Sequence, residues 1–440
     1  MYRKKLIFIA GLLMFSFARS NAQEVKTLQE VLSFGLENNY SIRMARKGQE
    51  ISDNNFSRGN AGFFPSLDLR TQYSGTRNNT DRDNIDGTTS SMRGVHNTVA
   101  SVNLNLGWTI FDGFRVQTSY DRLGVLQEMG ELNTQQAIEN LIANLSAEYF
   151  NLIRQKQQLE NLKFAVELSR ERMRIDEERY LLGSGSRLQL LQAEVFLNAD
   201  SARMTRQEEV VRASRIRLNE LMAREDLRAG IQPSDTIIPL EDILILESLR
   251  RSAEENNTSL RAAAKNTTLS EYDQKMIAAG TYPFVSLSSG YGLSRNTYQT
   301  GSFTDQQTAG MNYGITLGMN LFDGFNQRRR MSNARIEVEN SRVREEDTRN
   351  TLMADLITNY EEYLNFFRLI EMESHNLDVA YETLNIALER YRLGELSGIE
   401  LREVQKNLLE AEERLLTVQY QAKLAEISLK YIAGRITDYL

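Results

Sequence analysis

Leu106-Gly-Trp-Thr-Ile-Phe-Asp-Gly-Phe114 and Leu317-Gly-Met-Asn-Leu-Phe-Asp-Gly-Phe325 are two copies of one phrase, set 211 residues apart. Downstream, Glu178-Arg179-Tyr180-Leu181-Leu182-Gly183 returns as Glu389-Arg390-Tyr391-Arg392-Leu393-Gly394 at the same offset of 211. Upstream, Phe64-Pro65-Ser66-Leu67 matches Tyr282-Pro283-Phe284-Val285 at an offset of 218, the extra residues falling in the loops between. Internal repetition on this scale decides the architecture before any local reading does. The mature chain is expected to be one design written twice, over residues 23–226 and 227–440.

Each half reads as helix, strand, strand, very long helix, helix. The quoted phrases end strands of clean period-two alternation. Val102, Leu104, Leu106, Trp108 and Ile110 alternate with Asn103, Asn105, Gly107 and Thr109. Tyr313, Ile315, Leu317, Met319 and Leu321 alternate with Gly314, Thr316, Gly318 and Asn320. Leu67, Leu69, Thr71 and Tyr73 behave alike, as do Val285, Leu287, Tyr291 and Leu293. The polar faces are small and mostly uncharged, as in a water-filled barrel lumen, whereas a soluble sheet carries more Lys and Glu there. Polar stretches Ser74–Asn97 and Ser294–Thr308 read as external loops. Four strands do not close a barrel, and lipid does not tolerate an open sheet edge, so such a sheet needs partner chains.

From Phe114 to Leu182, and again from Phe325 to Leu393, there is no Pro and almost no Gly. About 70 helical residues span roughly 100 Å, which suits a coiled-coil rod rather than one globular core. The closing helix carries the matching seam: Leu401, Val404, Leu408, Ala411, Leu415, Val418, Ala422, Ala425, Leu429 and Ile432, spaced 3 and 4 throughout. Its counterpart keeps the register less strictly, with Leu190, Ala193, Leu197, Met204, Val211, Leu218 and Leu221.

The first residues read as a sorting label. Arg3, Lys4 and Lys5 precede an apolar run from Leu6 to Phe17, and Ser20-Asn21-Ala22 offers a cleavage site before Gln23. A run of about 12 is too short to span a bilayer, so residues 1–22 are expected to be a cleaved signal peptide. The chain has no Cys, and its net charge of -7 is mild and spread out, which excludes thiolate metal sites and argues against nucleic acid as a partner. There is no phosphate loop, metal-ligand spacing or nucleophile elbow, so an enzyme is not expected. His96 and His375 are far apart and form no ligand set. Neither a cofactor nor a bound metal is called for.

The duplicated order, the Pro65 and Pro283 breaks before the strands, the Phe-Asp-Gly exits and the Tyr-x-x-Gly tips together resemble the TolC-like outer membrane factor family, over essentially the whole mature chain. The resemblance implies a mainly α fold with membrane β. A long coiled-coil α-helical barrel would stand in the periplasm, and four strands per chain would contribute to a trimeric, twelve-stranded outer-membrane β-barrel. It implies a passive exit duct in a tripartite efflux or type I secretion system, fed by an inner-membrane pump through a periplasmic adaptor (membrane fusion) protein. The competing reading is a periplasmic coiled-coil tether without a pore, which leaves the four lumen-type strands unexplained.

By the same resemblance, the turn after each long helix closes the tunnel and meets the adaptor. Gly183 and Gly394 suit the positive φ that ends a helix, and Ser186 and Ser397 are placed to cap the next. Glu400 and Glu403 stand where the family has a ring of Asp; the equivalent first-half positions are Gln189 and Gln192. Such a ring attracts cations, and crowding raises some of its carboxyl pKa values. The family's latch pairs an acid of the first tip with an Arg of the second, but Gln189 and Leu396 stand there. Arg187 with Glu395, or the Tyr391 hydroxyl, are the substitutes expected to hold the gate. Trp108, Tyr73 and Tyr291 suit an interfacial girdle or plain lipid-facing packing, and Arg328, Arg329 and Arg330 suit inner-leaflet phosphates or a solvated helix start.

Overall fold

The computed structural model describes residues 24–240, 244–300 and 302–440; the expected signal peptide lies outside the described residues. The elements are β1 (Glu24–Lys26), α1 (Leu28–Asn38), α2 (Tyr40–Asn55), α3 (Arg58–Ala61), β2 (Ser66–Asp83), β3 (Thr89–Phe111), α4 (Arg115–Leu181) and α5 (Arg187–Leu221). They continue with β4 (Ile231–Pro233), α6 (Leu246–Asn256), α7 (Thr258–Ala279), β5 (Phe284–Thr297), β6 (Asp305–Gly318), α8 (Asn326–Leu393), α9 (Gly398–Ile432) and a 3-10 turn, Ile436–Tyr439. The order helix, strand, strand, long helix, return helix thus occurs twice.

The opening helix of each half is broken in two by an asparagine. Asn39 caps α2, accepting from the Ser41 amide at 2.8 Å, while its own amide group donates to the Leu221 carbonyl at 2.7 Å. Asn257 does the same work, accepting from Leu260 N–H at 2.9 Å and donating to the Ile432 carbonyl at 2.9 Å. Each therefore starts one helix and satisfies the last turn of a return helix, whose terminal carbonyls have no partner of their own.

The chain divides into two compact units, and each draws on both repeats. One holds residues 48–131 and 262–346, including a four-stranded sheet in the order β2-β3-β5-β6, antiparallel throughout. Its apolar face is bare: Leu67, Leu69, Tyr73, Met311, Tyr313, Ile315 and Leu317 are all exposed. β2 and β6 are edge strands with one side unpaired. The stretches expected to be loops are largely strand: β2 and β3 pair as far as Asp83↔Thr89, and β5 and β6 as far as Thr297↔Asp305. Polarity on both faces misled the reading, because a ladder wet on both sides still satisfies its backbone groups. The fourth strand ends early, at Gly318, because its neighbour β5 begins at Phe284 opposite it; Met319 and Leu321 lie beyond the ladder.

Strand passes to long helix through a fixed elbow. Gly113 and Phe114 have φ of +73° and +68°, and Gly324 and Phe325 repeat this at +68° and +63°. Phe111 lies edge-on to Phe114 at 5.2 Å, and Phe322 to Phe325 at 5.3 Å. At Gly113 an added Cβ would stand 2.5 Å from the Ala279 carbonyl oxygen, whereas at Gly324 it meets only the Asn326 amide at 3.9 Å. Gly113→Ala is therefore expected to cost about 2–5 kcal/mol, and Gly324→Ala only the backbone share of about 1–2. Thermal melts of the two variants in detergent check the difference.

The other unit holds residues up to 47, 132–261 and 347–440. Its cores repeat as the sequence does. Val31, Leu145 and Leu218 are buried together, and Leu249, Leu356 and Leu429 are buried together at the matching positions. A two-stranded parallel pair, β1 with β4, was not legible, since three residues are too few to show a period. On α9 the seam residues Leu401, Leu408, Ala411, Ala422, Ala425, Leu429 and Ile432 are buried. Among the described residues no helix is long and apolar enough to cross a membrane.

Candidate functional site

Both hairpin tips follow one local grammar. α4 ends at Gly183, φ +75°, with the Ser184 and Gly185 amides both donating to the Arg179 carbonyl at 2.9 Å. α8 ends at Gly394, φ +83°, with the Glu395 amide on the Arg390 carbonyl at 2.9 Å. Ser186 and Ser397 then cap the return helices in reciprocal boxes. Gln189 donates its amide N–H to the Ser186 hydroxyl at 3.2 Å and its side-chain oxygen accepts from Ser186 N–H at 2.9 Å. Glu400 makes the same two bonds with Ser397, at 3.3 and 2.9 Å.

The Glu400 carboxylate thus has a structural post in its own chain. The Ser397 hydroxyl and then the Ser397 amide hold its pKa below the usual carboxylate range. Glu403 is exposed, 4.0 Å from Lys406. Gln189 is exposed and committed to its cap, and Gln192 is half-buried. The suggested Arg187–Glu395 pair is not formed within the chain. The turn bond between Glu395 and Arg390 sets those side chains alongside each other, 3.8 Å apart, and among the described residues Arg187 makes no ion pair.

Tyr391, by contrast, is held fast. It is 2% exposed, while its first-half counterpart Tyr180 is 41% exposed. Its hydroxyl donates to Asp176 on α4, and Arg179 of the same helix donates to the Tyr391 backbone carbonyl and lies over the Tyr391 ring at 4.9 Å. Arg172 completes the group, 3.9 Å from Asp176 and buried like it. Burial, and then the neighbouring Asp176 carboxylate, push the Tyr391 phenol up to about 12. The carboxylate that meets Tyr391 is therefore at 176, not at the first-tip position 189. Arg172, Asp176 and Arg179 stand at spacings of 4 and 3, the seam period of the helix, and that period was the available signal.

A second buried acid joins the hairpins further from the tips. Arg402 of α9 grips Asp200 of α5 with both terminal nitrogens, at 2.6 and 2.8 Å, and the Ser169 hydroxyl of α4 donates to the same carboxylate at 2.6 Å. The guanidinium groups of Arg402 and Arg172 each lie 5.0 Å from the centre of the Phe196 ring. Among the described residues no group of acidic, His or Cys side chains is arranged to hold a metal.

The sequence profile of the Outer membrane efflux protein family matches residues 31–224 and 249–435. The chain is similar to the proteases secretion protein PrtF of Dickeya chrysanthemi, 20% identical over 451 residues that take in 99% of this chain and 93% of that protein. Its fold is that of the CmeC outer membrane channel of Campylobacter jejuni, with a TM-score of 0.76 at 18% identity over 93% of this chain and 85% of that one. The outer membrane protein VceC of Vibrio cholerae superposes with a TM-score of 0.73 at 17% identity, covering 92% of this chain and 96% of that one. The chain belongs to the outer membrane efflux protein family and is an outer-membrane channel of the efflux and secretion type, with a periplasmic helical tunnel.

Proposed function

We propose that three copies of this chain form the gated exit duct of a tripartite efflux or type I secretion system. The observation that carries the reading is the four-stranded sheet, apolar on one face and open at β2 and β6. In lipid those two edges need partners, and the β2 edge of one copy meeting the β6 edge of the next supplies them and closes a common barrel. Outer-membrane lipid then covers the apolar face. The hairpins inherit a shared bore, and their tips, with Gly183, Ser186, Gly394 and Ser397, meet a periplasmic adaptor that links the duct to an inner-membrane pump.

At that mouth Tyr391 and Asp176 latch the two hairpins of one chain, and Glu400 and Glu403 from three chains line the constriction. The Ser397 cap draws the Glu400 pKa down, which favours its charged form. A fixed ring of carboxylates concentrates cations by its local field. Glu400→Gln combined with Glu403→Gln is expected to lower the cation-over-anion permeability ratio severalfold in planar bilayers. An unchanged ratio refutes the ring.

A further inference from the structure

Asp200 occupies a seam position of α5. Ala193, Leu197, Met204 and Val211 share that seam, yet Asp200 is 1% exposed. Both of its oxygens are engaged, and the one carboxylate ties α4 through Ser169, α5 by its own backbone and α9 through Arg402. A guanidinium fork on a carboxylate is planar and bidentate, so it fixes orientation as well as distance. The Phe196 ring beside Arg402 narrows that orientation further.

Arg402 lies between the two acids of the proposed ring. On a helix of 3.6 residues per turn, Glu403 projects about 100° round from Arg402, and Glu400 about 160°. With Arg402 drawn onto α5, both acids are turned away from α5. The apolar seam of α9 alone specifies this rotation softly, because its small side chains at Ala411, Ala422 and Ala425 tolerate adjustment. Buried polar pairs that set register are the best-attested use of charge in such packing. The pair also exists once per chain: at the offset of 211, Asp200 corresponds to Ala411 and Arg402 to Leu191. The first hairpin, whose matching residues are the uncharged Gln189 and Gln192, has no such key.

We infer that Asp200 and Arg402 are positioning residues of the gate: their buried pair fixes the rotation of the start of α9 and so aims Glu400 and Glu403. The inference rests on the channel reading above, but its test is separate. The chain has no cysteine, so Asn407→Cys, exposed and one turn beyond Glu403, gives a single spin-label site on the acid-bearing face. Distances between labels in the assembled protein report the rotation directly.

Asp200→Leu with Arg402→Met removes both charges together and leaves neither of them buried without its partner, so the fold is kept. It is expected to shift the label distance by about 5 Å, a helix radius, or to broaden it into several. The exchange Asp200→Arg with Arg402→Asp is expected to restore a single narrow distance near the original. Arg402→Lys keeps the charge without the fork, and intermediate broadening is expected. It also serves as the deciding variant should the double replacement fail to assemble. Distances in the double replacement, or failing it in Arg402→Lys, that match the parent overturn the proposal. The Glu400→Gln, Glu403→Gln selectivity measurement decides the ring independently, whatever the spin labels show.

Discussion

Glu426→Ala is expected to cost about 3–5 kcal/mol of stability, the usual consequence of removing one partner from a buried charge group. Glu426 is fully buried on α9. Its two oxygens accept from Lys423 at 2.9 and 3.0 Å, Lys430 stands 3.5 Å away, and the Tyr439 hydroxyl donates at 2.6 Å. Lys423 also lies over the Phe150 ring of α4, and Lys430 over Tyr439. One carboxylate therefore serves two buried ammonium groups and pins the last turn of the chain against α9. Alanine leaves both cations buried beside a cavity, and the Ile436–Tyr439 turn loses its anchor. Urea midpoints of the detergent-solubilised protein measure the loss. Replacing Lys423, Glu426 and Lys430 together by Met, Leu and Met is expected to recover most of it, because the desolvation cost leaves with the charges. If Glu426→Ala unfolds at the parent's midpoint, the network is structurally idle.

The repeat made most of this fold legible. An offset of 211 relates both elbows, both tips and both return helices in the sequence alone, and it also relates the buried cores at Leu145 and Leu356. What it could not place was whatever the two halves do not share. α5 looked like a weaker coiled coil because its seam was read through apolar residues alone. The omitted positions are Asp200, Gln207 and Ser214, and Asp200 and Ser214 are buried. Those polar residues were not lapses of register: Gln207 and Ser214 bond to Gln155 and Glu148 of α4 in the same hairpin, and Asp200 is where this hairpin meets the other one. The same holds at Asp176 and Arg172, whose second-half counterparts are Ala387 and Thr383. The contacts of the proposed gate thus lie where the symmetry of the duplication is broken, and a search for matching motifs passes over them. Ser186, Ser397 and Gln189 also start the return helices as caps, a role that both halves need.

Asp176→Ala is expected to raise the conductance of the closed channel severalfold. The Tyr391 hydroxyl is buried against this carboxylate, and a buried donor stripped of its acceptor costs about 1–3 kcal/mol. That loss falls on the latched state, because in an opened tip the phenol is free to meet water. Each ~1.4 kcal/mol moves the balance between latched and open about tenfold. In the proposed trimer the change is made three times. Combining Tyr391→Phe with Asp176→Ala removes donor and acceptor together and leaves neither group of that bond orphaned, so the pair is expected to open the channel less than Asp176→Ala alone. The phenol's raised pKa sets the alkaline limit of the latch. Its folded value, about 12, lies above the ordinary 10, so its contribution is fully present below pH 10 and is lost as the pH climbs through about 12. Tyrosine ionisation therefore leaves the latch intact from pH 6 to 9. Single-channel recordings over that range, with entry of a large hydrophilic antibiotic into cells carrying each variant, measure the effect. Should Asp176→Ala assemble normally and conduct like the parent, the Tyr391 contact is packing alone and the closed state is held elsewhere.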